Sequence, residues 1–224
     1  MERFKEMKSF PNAIEPMLEE VLRKDYKLKN NWNHDYFKNN KDIILELGCG
    51  KGEYTIGLAE RFPDKNYIGV DIKGARMWRG CKTAIERNLN HIAFARTRID
   101  LIGSFFGFEE VSEIWITFPD PQKEKKTKRL TAAKFLNLYK TFLKNDGVIH
   151  LKTDSDIMYQ YTIELINFNG IKILKQFNDI YNSSQIDEIL TIKTFYEKQF
   201  LAQNKSIKYI KFTLAGCNHV EELP

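Results

Sequence analysis

The stretch Ile43-Ile44-Leu45-Glu46-Leu47-Gly48-Cys49-Gly50-Lys51-Gly52-Glu53 decides the fold. A short apolar run ends in an acidic residue, and glycine then recurs at every second position. Tyr54-Thr55-Ile56-Gly57-Leu58-Ala59-Glu60 follows as the start of an amphipathic helix. Strand, glycine turn and helix make the first unit of a nucleotide-type site. The turn needs glycine because the backbone must reverse sharply and meet a ligand with no Cβ in the way. A second apolar run, Asn66-Tyr67-Ile68-Gly69-Val70-Asp71, ends in a carboxylate. An acid roughly 20 residues past such a loop is placed to accept hydrogen bonds from ribose hydroxyls.

Apolar periodicity extends this unit in both directions. Residues 11–26 predict a helix with Ile14, Met17, Leu18, Val21 and Leu22 on one face and Pro11 near its start. Residues 30–40 read as a polar, lysine-rich connection. Downstream, strands are expected at 92–95, 111–118, 147–153, 171–177 and 207–214. Helices are expected at 73–88, at 131–143 with Thr131 as cap, and at 155–167. Residues 178–192 read as a loop that delivers the segment after them. Alternating βα units predict an α/β, Rossmann-like fold, a mostly parallel sheet with helices on both faces. Ligands of such sheets bind at the carboxyl ends of the strands. Glu46, Asp71, Asp120 and Asp154 sit at or just past such ends, so four carboxylates are expected on one rim.

Composition narrows the class of protein. A chain of 224 residues, 42% hydrophobic and 29% charged, suits one globular domain with a full core. No apolar run approaches the roughly 18 residues of a membrane span. Met1-Glu2-Arg3-Phe4-Lys5-Glu6 lacks the apolar centre of a signal peptide, so a cytoplasmic protein is expected. Cys49, Cys81 and Cys217 are isolated, which suits reduced thiols. His34, His91, His150 and His219 show no metal-ligand spacing, and no metal is expected. The net charge of +5 is modest, but its distribution is uneven. Residues 123–129 hold five basic residues and one acidic one. Residues 24–41 are lysine-rich, with Trp32, Tyr36 and Phe37 interleaved. Cations among exposed aromatics suit a polyphosphate partner that also offers bases to stack. The apolar spacing of Trp78, Phe105 and Phe106 assigns those rings to the core instead. The chain divides into a basic extension over 1–40, expected to contact the nucleic acid, a domain over 41–216, and a tail over 217–224.

The fourth predicted strand runs into Phe118-Pro119-Asp120-Pro121-Gln122-Lys123-Glu124-Lys125-Lys126-Thr127-Lys128-Arg129-Leu130-Thr131. Each proline fixes its own φ and restricts the residue before it, so Asp120 sits in a stiff turn. Such a turn holds a carboxylate at the strand end and aims the basic segment beyond it.

The glycine loop, spaced E-x-G-x-G-x-G, resembles the S-adenosylmethionine (SAM) loop of class I methyltransferases. Together with the F-P-D-P turn, its K-R-L-T ending, Thr153-Asp154, and the distal Thr194-Phe195-Tyr196-Glu197, it resembles the bacterial tRNA (guanine-N7-)-methyltransferase family over about residues 43–214. The resemblance implies a class I SAM-dependent fold and methyl transfer to N7 of a guanine in the tRNA variable loop. It implies SAM contacts for Glu46, Gly48, Gly50, Gly52 and Asp71, the last through the ribose. It makes Asp120 the catalytic carboxylate beside the sulfonium and the guanine. It assigns substrate contacts to Asp154, Thr194, Glu197 and a lysine after the turn, Lys123 in preference to Lys125. Asp154 or Glu197 is expected to read the guanine N1–H and amine edge. Two departures stand out. Gln122 occupies the family's tryptophan position, ahead of a tail about two residues shorter. The acid expected near Arg98 on the adenine side is absent, leaving Asp100 or a backbone N–H for that contact. A methyltransferase for another RNA base or a small molecule, or an RNA-binding protein without catalysis, remains as an alternative reading.

Overall fold

The computed structural model describes residues 2–183 and 186–224. Among them, eight strands form one sheet: β1 (Ala13–Ile14), β2 (Ile43–Leu47), β3 (Asn66–Asp71), β4 (Ile92–Arg96), β5 (Val111–Thr117), β6 (Leu143–Thr153), β7 (Lys172–Phe177) and β8 (Lys208–Thr213). The helices are α1 (Glu2–Met7), α2 (Leu18–Val21), α3 (Glu53–Arg61), α4 (Gly74–Glu86), α5 (Ala133–Lys140), α6 (Asp156–Phe168) and α7 (Phe195–Ala202). The sheet order is β1-β4-β3-β2-β5-β6-β8-β7. All neighbours pair in parallel except β8, which runs antiparallel to both β6 and β7. This is the mostly parallel, two-faced α/β architecture that the periodicity predicts.

The chain leaves β2 toward β3 and β4, then returns to the other side of β2 as β5. That reversal opens a crevice beyond the carboxyl ends of β2 and β5. Alternation along β2 sends Leu45 and Leu47 to one core, shared with Ile114, Ile116 and Leu151. Ile44 goes to the other core, under α3 and α4, with Tyr54, Phe94 and Trp115. Glu46 shares parity with Ile44 and therefore points into protein rather than toward the rim.

Three expectations are corrected. Residues 11–26 do not form one helix. Pro16 lacks an N–H and restrains Glu15, so Ala13 and Ile14 extend and pair with Phe94 and Ala95. Only the single turn of α2 is helical beyond it. Second, Trp32 and Phe37 are not exposed base platforms. Residues Trp32–Phe37 form a π-helical turn, and Trp32 is fully buried. Its ring stacks on Phe106 at 5.5 Å, and its Nε1–H donates to the Phe105 carbonyl at 2.8 Å. Burying a tryptophan with its N–H satisfied outweighs the polar character of its neighbours. Third, Thr131 does not cap α5. Its hydroxyl meets that of Thr162 at 2.7 Å inside the core, and Ala132 takes the cap position. The Ser155 hydroxyl does cap α6, accepting from the Met158 N–H at 3.3 Å. Within the predicted 178–192 loop, residues 184 and 185 lie outside the described residues. The remainder includes a short 3₁₀ turn, Glu188–Thr191.

Candidate active site

The glycine loop leaves β2 and is tied down from behind. Gly48 and Cys49 donate their N–H groups to the Val70 carbonyl at 2.8 and 3.0 Å. Gly50 N–H donates to Asp71 Oδ2 at 2.9 Å, and Lys73 N–H to Asp71 Oδ1 at 2.7 Å. One carboxylate therefore fixes both the loop and the entry to α4. A Cβ built at Gly48 or Gly50 meets nothing within 4 Å, so the space above the loop is open. Gly52 is needed for another reason. Its φ is +72°, and a Cβ there would lie 2.5 Å from the Phe94 ring.

Above the loop lies a cavity of about 350 Å³. Gly48, Asp71 and Asp120 line it, and Ile72, Ile99 and Leu130 give it apolar surface. These residues fit SAM. An acid can accept from ribose hydroxyls, apolar groups suit a purine face, and a carboxylate suits a sulfonium. Arg98 also borders this cavity, whereas Asp100 is held by the Arg98 guanidinium, with Nε to Oδ1 at 3.0 Å. The Asp100 carboxylate is thus engaged within the chain.

Glu46 does not border the cavity. It is 3% exposed and accepts from Thr55 N–H at 2.8 Å, from the Thr55 hydroxyl, and from the Thr117 hydroxyl at 2.6 Å. Desolvation is the largest influence on its acidity and outweighs the hydrogen bonds, pushing its pKa up to about 7. Glu46 links the end of β2 to α3 and β5 from beneath the loop.

A second cavity of about 820 Å³ opens beside the first. Asp120, Lys123 and Asp154 share its wall, and Asp120 borders both cavities. The turn carrying Asp120 is strained. Phe118 and Gln122 have φ of +48° and +46°, a region that non-glycine residues visit at a cost of about 1–3 kcal/mol each. Phe118 N–H is held by the Lys152 carbonyl at 2.8 Å, and Gln122 N–H by Asp120 Oδ1 at 3.0 Å. Asp154 pairs with Lys205 at 3.1 Å.

Thr194 and Glu197 stand apart from this wall. Thr194 caps α7, accepting from Glu197 N–H at 3.2 Å. Glu197 is fully buried, and its carboxylate takes Lys152 Nζ at 2.8 Å and Tyr181 OH at 2.7 Å. Lys152 is equally buried. Its ammonium also donates to the Leu190 and Ile192 carbonyls at 2.8 and 3.0 Å. Desolvation lowers its pKa to about 8 against the pull of Glu197. Of the two candidates for reading the guanine edge, Asp154 alone faces the cavity in this structure.

The tertiary structure adds residues that the sequence did not single out. Lys73 and Arg76, at the start of α4, border the larger cavity, as do Tyr196, Lys205 and Lys208. Lys51 lies 4.3 Å from the Phe195 ring centroid, and Arg76 5.9 Å from that of Tyr196. Both rings are exposed, at 43% and 40%. A pair of aromatics opening a helix with two polar neighbours was the available signal. Among the described residues, no group of His, Cys, Asp and Glu is arranged to hold a metal ion.

A Rossmann-like sheet with an acid-backed glycine loop and a carboxylate between two cavities defines a class I SAM-dependent methyltransferase. Solved structures share the fold. A 16S rRNA methyltransferase, KamB, superposes with a TM-score of 0.61 at 10% identity, covering 80% of this chain and 90% of that one. An antibiotic-related methyltransferase gives 0.60 at 17% identity, covering 88% and 97%. Residues 40–210 match a family model described as "Putative methyltransferase". The chain is 54% identical to the tRNA (guanine-N(7)-)-methyltransferase of Christiangramia forsetii, over 96% of this chain and 97% of that protein. It is 49% identical to that of Bacteroides fragilis, over 96% and 85%. The chain belongs to the tRNA (guanine-N7-)-methyltransferase family.

Proposed function

We propose that this chain methylates N7 of a guanine in the tRNA variable loop, with Asp120 at the reacting centre. The observation that carries the reading is the position of Asp120 on the walls of both cavities. When bound, SAM supplies an electrophilic methyl group on a sulfonium. Guanine N7 holds an in-plane lone pair and no proton, so the protein need not deprotonate it. The task of the chain is to align and to stabilise charge. Methylation leaves the guanine ring cationic, and the Asp120 carboxylate favours that developing charge. Gln122 N–H, bonded to Asp120 Oδ1, keeps the carboxylate from swinging away.

Asp154 accepts from the guanine N1–H and amine, a pattern adenine does not offer. Tyr196 provides a face for a splayed base, as RNA readers commonly do. Lys123, Lys73, Arg76 and Lys205 ring the cavity and attract the phosphate backbone. Thr194 and Glu197 serve the substrate by fixing the start of α7, which carries Tyr196. Glu46 serves the cofactor by supporting the loop over which it lies. The reading places the protein with tRNA in the cytoplasm, and no described helix is long and apolar enough to cross a membrane.

The test is transfer from methyl-labelled SAM to unmodified tRNA transcripts, with nucleoside analysis. Labelled 7-methylguanosine, lost with Asp120→Ala, is the expected result. Equal transfer by Asp120→Ala refutes the assignment of the centre. Transfer to free guanosine with no gain from tRNA refutes the substrate.

A further inference from the structure

The basic run 123–129 reads as a phosphate-binding segment, yet its last member differs from the rest in burial, and the Lys126 ammonium donates to the Leu223 and Pro224 carbonyls. Lys123, Lys125, Lys126 and Lys128 are exposed, whereas Arg129 is only 6% exposed. Its Nε–H donates to the Pro121 carbonyl at 2.9 Å, and its guanidinium lies over the Tyr161 ring at 4.5 Å. Tyr161 is itself buried and donates its hydroxyl to Glu222 Oε1 at 2.6 Å. Glu222 belongs to a C-terminal segment that is anchored on α5. There Asn137 exchanges two hydrogen bonds with Val220, at 2.8 and 2.9 Å.

Pro121 is the residue after Asp120, and left-handed residues flank the turn at Phe118 and Gln122. A strained turn keeps one geometry only where its surroundings over-determine it. The Phe118 side is held by β6 through the Lys152 carbonyl. On the Gln122 side, Gln122 N–H bonds within the turn, to Asp120 itself. The Lys125 N–H bonds to the Gln122 carbonyl at 3.1 Å, and this too is a local contact. Arg129 is the link from this side of the turn to a buried platform on α6. A planar guanidinium suits the role because it stacks on a ring and donates along its edge together, which an ammonium cannot do.

We infer that Arg129 is a positioning residue, stacked on a Tyr161 ring whose hydroxyl is held by Glu222, that holds the Pro119–Gln122 turn and thereby sets Asp120. It is not a phosphate contact. The inference rests on the proposed role of Asp120.

The experiment compares Arg129→Lys, Arg129→Met and Tyr161→Leu with the unaltered protein, at a temperature well below the melting point of each. kcat is measured at saturating tRNA, and tRNA Kd is measured across a salt series. The expected result is a fall in kcat on the order of 10–100-fold in all three, the range for a reacting group displaced by up to about 1 Å. tRNA Kd and its salt slope stay unchanged, even for Arg129→Met. A kcat within threefold of the unaltered protein in Arg129→Lys or Tyr161→Leu overturns the inference. So does a salt slope reduced by about one in Arg129→Met, the mark of a lost phosphate contact. Asp120→Asn run in parallel separates the two readings. If it keeps full kcat, the role of Asp120 fails; if only it loses kcat, the role of Arg129 fails alone.

Discussion

Glu46→Gln should stabilise the ligand-free protein at pH 8 and do so several-fold less at pH 5. The carboxyl is buried with hydrogen bonds from Thr55 and Thr117, and its pKa is raised from 4.5 to about 7. Below pH 4.5 both folded and unfolded chains carry the proton. Between 4.5 and about 7 the folded chain binds it and the unfolded chain does not, so stability falls as pH rises. The stabilisation is fully present below pH 4.5 and is lost once the pH has passed about 7. At about 1.4 kcal/mol per pH unit, the span amounts to roughly 3 kcal/mol. Glutamine is neutral throughout and nearly isosteric. Its carbonyl can accept from Thr55 while its amide donates to the Thr117 hydroxyl. Urea denaturation of the two proteins from pH 5 to pH 9 gives the difference, because titrating groups remote from Glu46 cancel. A difference independent of pH, or a glutamine variant less stable at pH 8, would show that Glu46 is ionised at little cost and refute the reasoning.

Three further outcomes follow from the geometry. Lys152→Met leaves the Glu197 carboxylate buried without its cation and should cost about 3–5 kcal/mol in chemical denaturation, with Glu197→Gln in the same chain recovering much of it; a loss under about 1 kcal/mol argues against a buried pair. Gly52→Ala forces a methyl against Phe94 at a left-handed position, so melting should fall by several degrees, a loss of about 1–3 kcal/mol, and wild-type stability in this variant contradicts the loop geometry. Tyr196→Leu removes an exposed ring at the cavity mouth and should weaken tRNA binding by about 1–3 kcal/mol while leaving SAM affinity within experimental error. Equal loss of SAM affinity would show instead that the ring supports the fold.

Much of the α/β core was legible because its signals are local. A parallel strand buried on both faces must be an apolar run, and β2, β3 and β5 read that way. The glycine loop and Asp71 announce themselves because backbone reversal and an acid at a strand end are requirements of single positions. The F-P-D-P turn is legible for the same reason, since proline acts on its own residue and its neighbour. In the N-terminal region two local signals compete. The helical spacing of Ile14, Val21 and Leu22 lost to Pro16 and to an open edge of β4 that only the folded sheet presents.

Side-chain destinations could not be read locally. Trp32 looked like a base platform because its neighbours are polar, but Phe106, far along the chain, supplies the face that buries it. Arg129 and Lys126 are both cations of one basic run. The platform of Tyr161 on α6 buries the first, while the second remains exposed. Glu46 near the end of β2 and Asp120 just past the end of β5 lie at the carboxyl ends of adjacent strands, yet pleat parity turns Glu46 under the loop and a stiff turn carries Asp120 out to both cavities. The sequence by itself determined which residues have the chemistry for methyl transfer and which segments make the parallel sheet, because propensity, periodicity and turn restraints act within a few residues. Only the tertiary structure decided which charges reach the site and which are consumed in holding it, because burial and pairing depend on surfaces contributed by distant parts of the chain.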